Sequence, residues 1–190
     1  MIFIKTRKEL HEFLNADREM YIRKSLKERL TDILLSRENY HIYQFVKAMR
    51  YTQFYTTRKQ KSLFHQLMYL YYSRKYNKKC VKYGFMIGAM AFDKGLCIYH
   101  IGNIVVNIQC TIGKNCKLHG SNCIGNSHRQ DDCPNIGNNV RLGVGAKVIG
   151  DIYIADNVTI AAGAVVTKSC YEKGVTLAGI PARIIKKPSN

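Results

Sequence analysis

The first 83 residues contain no glycine and no proline; all fourteen glycines lie at or after Gly84, and all three prolines lie after residue 130. Glycine is what a chain uses where it needs left-handed turns, so the first part is not a turn-rich fold. Acidic residues are missing between Asn39 and Phe92. The seven cysteines form no CxxC pair, which argues against a zinc site. Their odd number and the lack of a signal-peptide pattern (Met1-Ile2-Phe3-Ile4 runs straight into Lys5) give the expectation of reduced thiols in the cytoplasm. No long apolar run is present: the longest, Gly84 to Phe92, is too short to span a bilayer and ends at Asp93-Lys94. No histidine triplet has the spacing of a metal-dependent hydratase, so no metal is expected.

What is present is positive charge. Thirty Lys and Arg against thirteen Asp and Glu give a formal net charge of +17 over 190 residues. Residues 1–83 carry +12 of it (19 basic, 7 acidic), and residues 84–190 carry +5 (11 basic, 6 acidic). Such a balance favours anionic partners: nucleic acid, anionic lipid or phosphorylated small molecules. Within 40–83, ten basic residues interleave with nine tyrosines. Basic plus aromatic patterning suits nucleic acid, or a peripheral contact with an anionic membrane, or attraction of a sugar carried on a pyrophosphate. The nature of the second half makes nucleic acid the least favoured of these.

Residues 1–83 read as helices. Thr6-Arg7-Lys8-Glu9 has capping-box spacing ahead of Leu10, Phe13 and Leu14, and Ser25-Leu26-Lys27-Glu28 repeats it ahead of Leu30, Ile33 and Leu34. Ile42, Phe45, Val46 and Met49 mark a third helix, and Leu63, Leu67 and Leu70 mark one apolar face of a fourth, running from near Thr57 to Tyr76.

Residues 84–190 read as a repeat. Aliphatic residues recur every six positions at Val106, Ile112, Leu118 and Ile124, then at Ile136, Leu142, Val148, Ile154, Ile160 and Val166. Small residues follow them at Gly113, Gly125, Gly137, Gly143, Ala155 and Ala161. Neither a helical nor a simple strand period fits. A six-residue period marks a parallel β-helix, in which three short strands close one triangular coil of eighteen residues and each aliphatic residue points into a narrow prism. The series breaks where Gln130 falls on an aliphatic position, so the polar stretch 126–134 is expected to leave the coil as a loop.

Gly95-Leu96-Cys97-Ile98-Tyr99-His100-Ile101-Gly102-Asn103-Ile104-Val105-Val106-Asn107 resembles the "GLxIxHxGxIVVN" segment of the hexapeptide-repeat acyltransferases, in their serine acetyltransferase-like branch. Ile112-Gly113-Lys114-Asn115-Cys116 and Gly143-Val144-Gly145-Ala146-Lys147-Val148-Ile149-Gly150 continue the likeness, and Ala178-Gly179-Ile180-Pro181-Ala182-Arg183 resembles the closing "AGxPAR". The helical part is similar to the short leader of members associated with surface polysaccharides. The resemblance implies a left-handed β-helix, a homotrimer, acetyl-CoA as donor, and His100 as general base. An alcohol is a weak nucleophile at neutral pH and needs a base within hydrogen-bond reach.

The resemblance also implies donor contacts: Val144 and Ala162 for the pantetheine arm, Thr167, Lys168 and Arg183 for the nucleotide end, with Lys186 and Lys187 adding charge. His119, nineteen residues after His100, is expected one coil on and one residue over, lining the acceptor site; His128, Arg129 and Cys133 of the loop are further acceptor-site candidates. Three positions depart from true serine acetyltransferases. The loop's Asp-Arg-His-Pro is Asp131-Asp132-Cys133-Pro134 here, the Asp before the catalytic His is Tyr99, and the orienting Asp is Phe85. Asp93 is the expected replacement orienter. These departures put a sugar hydroxyl in surface polysaccharide biosynthesis ahead of serine as acceptor. Serine O-acetylation in cysteine biosynthesis is the alternative; a non-catalytic β-helix scaffold and a basic nucleic-acid-binding protein are the readings from other classes.

Overall fold

The computed structural model describes residues 1–22, 25–127 and 132–186. Four helices come first: α1 (Arg7–Tyr21), α2 (Leu26–Leu34), α3 (Glu38–Thr56) and α4 (Leu63–Tyr83). Thr6 and Glu9 form the expected capping box, Thr6 Oγ1 accepting the Glu9 N–H at 3.0 Å. Ser25 takes an extended N-cap backbone but its side chain makes no capping bond. The α3 core residues Ile42, Phe45, Val46 and Met49 are fully buried.

The fourth helix differs from its sequence reading in both extent and face. It starts at Leu63 because α3 runs on to Thr56, and it continues to Tyr83, where Gly84 closes it in a left-handed conformation (φ +70°). Leu63, Leu67 and Leu70 lie exposed, while Tyr76 and Tyr83 are buried. Tyr72 stacks on Tyr51 and Tyr55 of α3 at centroid distances of 4.5 and 5.5 Å. Helical periodicity marks apolar faces but does not say which of two turns inward; here stacking by the tyrosine rings decides it.

From Phe85 the chain winds as a left-handed parallel β-helix. Its first face, sheet A, stacks β1 (Phe85–Ile87), β3 (Ile104–Val106), β6 (Cys123–Gly125), β9 (Lys147–Ile149) and β12 (Val165–Val166). Sheet B stacks β4 (Thr111–Ile112), β7 (Asn135–Ile136) and β10 (Tyr153–Ile154), and isolated bridges at Phe92 and Cys170 extend it at both ends. Sheet C stacks β2 (Cys97–Ile98), β5 (Lys117–Leu118), β8 (Arg141–Leu142), β11 (Thr159–Ile160) and β13 (Thr176–Gly179), capped by antiparallel β14 (Ala182–Lys186).

Every aliphatic residue of the six-residue series points into the prism with at most 2 % exposure. One edge of the prism carries Asn115, Asn139 and Asn157 in left-handed conformations, a backbone state that asparagine tolerates better than most residues. Their side chains form a ladder, Asn115 Nδ2 donating to Asn139 Oδ1 at 2.9 Å and Asn139 Nδ2 to Asn157 Oδ1 at 3.0 Å. The coils are not all alike. Ile136 pairs with Ile154, eighteen residues on, but Ile112 pairs with Ile136, twenty-four on. The polar loop therefore adds six residues to its coil, and Ile136 takes the rung that Gln130 would otherwise occupy.

The helices and the prism share one apolar core, in which Ile42, Phe45, Met49 and Tyr76 pack with Phe85, Ile87 and Phe92. A buried polar cluster fastens them together. Arg50, wholly buried, donates from Nε to Asp17 Oδ2 at 2.7 Å and from Nη2 to Asp17 Oδ1 at 3.1 Å. Its Nη1 and Nη2 also donate to the carbonyls of Phe92 and Asp93, each at 2.7 Å. Asp17 Oδ1 accepts the N–H groups of Gly95 and Leu96 at 2.8 and 3.1 Å. Charges out of water are stable only when paired and fully hydrogen-bonded, and this pair is.

Candidate active site

The segment that carries His100 is held from the helical side. Tyr21 of α1 accepts the Ile98 N–H at 2.6 Å and donates to the Leu96 carbonyl at 3.0 Å, while the Asp17–Arg50 pair grips residues 92–96. β2 ends at Ile98, the chain turns, and His100 projects from the edge between sheets C and A with its side chain 66 % exposed. Glu38, the first residue of α3, reaches this turn: Oε1 accepts the Ile101 N–H at 2.5 Å and Oε2 lies 3.4 Å from His100 Nδ1.

Glu38 therefore stands where Asp93 was expected. Asp93 is turned into the backbone: Oδ1 accepts the Lys94 N–H at 2.7 Å, and its carbonyl accepts from Arg50. The carboxylate beside His100 is that of Glu38, not that of Asp93. Glu38 lies 62 residues before His100, and no local spacing relates them. The acid-free stretch that follows Glu38 is the one sequence feature that singles it out, as the last carboxylate before Asp93.

His119 lies close to its expected place, but one residue to the other side of His100. The first coil is longer than eighteen: Cys97 pairs with Lys117 and Ile98 with Leu118, an offset of twenty. Tyr99, rather than His100, thus stands beside His119, and their rings stack at 4.2 Å. Arg141 Nε donates to His119 Nε2 at 2.9 Å. Partial burial, then the positive charge of Arg141 and the nearness of His100, hold the His119 imidazolium pKa below its ordinary value.

Val144 and Ala162 share the edge of His100. Gly120, Val144-Gly145 and Ala162-Gly163 follow one another down it, with the Gly145 N–H on the Gly120 carbonyl at 2.9 Å and the Gly163 N–H on the Val144 carbonyl at 2.8 Å. The coils approach closely here, since a Cβ on Gly143 would lie 2.6 Å from the Ala162 nitrogen. Both Val144 and Ala162 are exposed.

Thr167 and Lys168 lie elsewhere, past the end of β12 on the edge between sheets A and B. Lys168 and Arg183 line one cavity of 190 Å³. Cys133 also belongs to that second edge; it is half-buried, with Sγ 4.0 Å from Gln109 Oε1. A single chain thus brings His100, Glu38, His119, Val144 and Ala162 together and leaves Cys133, Thr167 and Lys168 on another edge, with Arg183 of β14 beside the Lys168 cavity. His128, Arg129 and Lys187 lie outside the described residues. Among the described residues no cluster of three or more His, Cys, Asp or Glu could hold a metal ion, and no helix is long and apolar enough to cross a membrane.

Residues 134–168 match the family model described as bacterial transferase hexapeptide (six repeats). A serine acetyltransferase of Staphylococcus aureus is 38 % identical over 96 residues, which cover 50 % of this chain and 45 % of that protein. The chain thus spans about half the length of the curated relatives it matches. Among solved structures, the soybean serine acetyltransferase apoenzyme superposes with a TM-score of 0.73 at 23 % identity, covering 94 % of this chain and 69 % of that one. A serine acetyltransferase from Brucella abortus in complex with coenzyme A gives 0.69 at 26 % identity, covering 96 % and 70 %. Residues 134–168 thus carry the hexapeptide pattern of bacterial transferases, and the proteins this chain is similar to in sequence and in fold are serine acetyltransferases.

Proposed function

We propose that the protein is an acetyl-CoA-dependent O-acetyltransferase that uses His100 as general base, with L-serine as the first acceptor to be tested. One observation carries the catalytic reading: an exposed imidazole at a coil edge, backed at Nδ1 by a carboxylate, heads the row of residues to which the family resemblance gives the pantetheine arm. A proton on Nδ1 shared with Glu38 leaves the Nε2 lone pair for the acceptor hydroxyl. As that oxygen attacks the thioester carbonyl, His100 takes its proton, and the imidazolium is stabilised by Glu38. The same proton can then go to the departing thiolate. The edge below His100 receives the pantetheine arm at Val144 and Ala162. Lys168 and Arg183, from the other edge, complete the nucleotide end when a second copy packs alongside, so the reading includes a homotrimer.

Serine comes first because the similar proteins are serine acetyltransferases and one solved neighbour of the fold is a soybean serine acetyltransferase complexed with serine. A second reading, a sugar hydroxyl at the cytoplasmic face of a membrane in surface polysaccharide biosynthesis, is supported by a different observation. Leu63, Phe64, Leu67 and Leu70 are exposed on α4, within the acid-free stretch. An apolar stripe amid positive charge suits peripheral contact with anionic lipid.

The test is acetyl-CoA turnover with L-serine and with a panel of sugars, each with and without anionic vesicles. Serine turnover supports the first reading, and vesicle-stimulated sugar turnover supports the second. His100→Ala should cut turnover by about 10²–10⁴-fold without loss of fold; unchanged turnover in this variant overturns the catalytic assignment.

A further inference from the structure

The outward face of sheet C, next to His100, holds three groups with no part in the proton transfer itself. Tyr99 and His119 are stacked ring on ring, and Arg141, one strand further on, donates from Nε to His119 Nε2. That bond spends the acceptor nitrogen of the neutral imidazole, so its Nδ1 carries the proton and is a donor. Partial burial first, and then Arg141, His100 and Lys117, keep the imidazolium pKa below its ordinary value. With Nε committed, the two Nη groups of Arg141 make no hydrogen bond to any described residue. The cluster presents an aromatic platform, an N–H donor and a guanidinium fork side by side, one residue from His100 in the chain.

We propose that Tyr99, His119 and Arg141 form an acceptor subsite for an anionic group, a carboxylate or a phosphate, on the same molecule that carries the reacting hydroxyl. Planar guanidinium forks match these groups with two parallel hydrogen bonds, which gives orientation as well as attraction. The subsite supplies on sheet C the cation that the polar loop lacks at Asp132-Cys133. Its aromatic floor takes the apolar side of the ligand, and Lys117 adds long-range attraction. This proposal rests on the O-acetyltransferase reading.

Two measurements test it and keep the two readings apart. The first is the ratio of kcat/KM for L-serine over L-serinamide, and for a hexose 1-phosphate over the free hexose, in wild type and in Arg141→Gln. The anionic member of one pair should be preferred. Arg141→Gln should remove that preference by raising KM about tenfold with little change in kcat, the worth of one charge-assisted hydrogen bond at an exposed site. The pair that responds tells carboxylate from phosphate. A preference that survives Arg141→Gln, or no preference in either pair, overturns the subsite.

The second measurement needs no turnover. Imidazole ¹⁵N spectra of the histidine-labelled full chain are recorded with increasing L-serine or inorganic phosphate, with His119→Gln fixing the assignment. Shifts of the His119 signals in wild type that vanish in Arg141→Gln support the subsite even if no acceptor is acetylated, in which case the transferase reading alone fails. His119 signals that ignore both anions overturn the subsite while leaving transfer intact.

Discussion

The two halves of this chain are stabilised by different kinds of information. In the prism, each residue's neighbours are set by a short period. Ile124 lies against Val106 and Val148, Leu142 against Leu118 and Ile160, and the rule that places one places the next. In the helical half the decisive contacts are singular. Asp17 meets Arg50 across 33 residues, Arg50 meets Phe92 across 42, and Glu38 meets His100 across 62. A repeat makes a rigid wall cheaply in sequence terms, but every rung is much like its neighbours. The singular contacts of the helices make one rung different from the rest, and that rung carries His100.

If this contrast is right, damage to the helices should reach the site, and equal damage to the wall should not. Arg50→Met removes the guanidinium while keeping an apolar body, leaving Asp17 buried without its cation. The expected loss is about 3–5 kcal/mol in urea unfolding. Turnover under folded conditions should also fall, because the carbonyls of Phe92 and Asp93 lose their donors. Leu142→Ala, in the middle of sheet C and wholly buried, should cost about 2–5 kcal/mol from the lost transfer energy and the cavity. Its turnover per folded molecule should stay near that of wild type. Equal effects of both variants on turnover would remove the distinction between wall and anchor.

The same contrast explains what could be read before any coordinates. The β-helix was legible because six-residue spacing has one physical solution, and all ten residues of the series proved to be core. The break in the period was legible for the converse reason: an apolar rung needs an aliphatic residue, and Ile136 supplies it for Ile112, while residues 128–131 lie outside the described residues. The coil lengths were not legible: an eighteen-residue rule placed His119 one residue to the wrong side of His100, because the first coil takes twenty. On α4 two apolar faces compete, and the leucines lost to tyrosines whose stacking partners, Tyr51 and Tyr55, lie on another helix. Asp17, Arg50 and Glu38 carry no local signal, since a buried ion pair and a distant carboxylate look like surface charge until the chain has folded.

The smallest expected effect gives the sharpest test of what the helical anchor does for chemistry. Glu38 has two roles in the geometry, one oxygen accepting the Ile101 N–H and the other facing His100 Nδ1. Glu38→Gln keeps an oxygen for the N–H but loses the negative charge; Glu38→Ala loses both. If the carboxylate stabilises the imidazolium formed during transfer, Glu38→Gln should lower kcat about tenfold, near the value of one exposed charge-assisted hydrogen bond, with KM for acetyl-CoA unchanged. Glu38→Ala should fall further, since the turn at Ile101 is then free to move. Stability should scarcely respond in either variant, because the Glu38 side chain is 43 % exposed and the pair is screened by water. A Glu38→Gln enzyme with wild-type kcat beside a crippled Glu38→Ala enzyme would assign Glu38 to holding the turn alone. The helical half would then supply position to the site and no electrostatics.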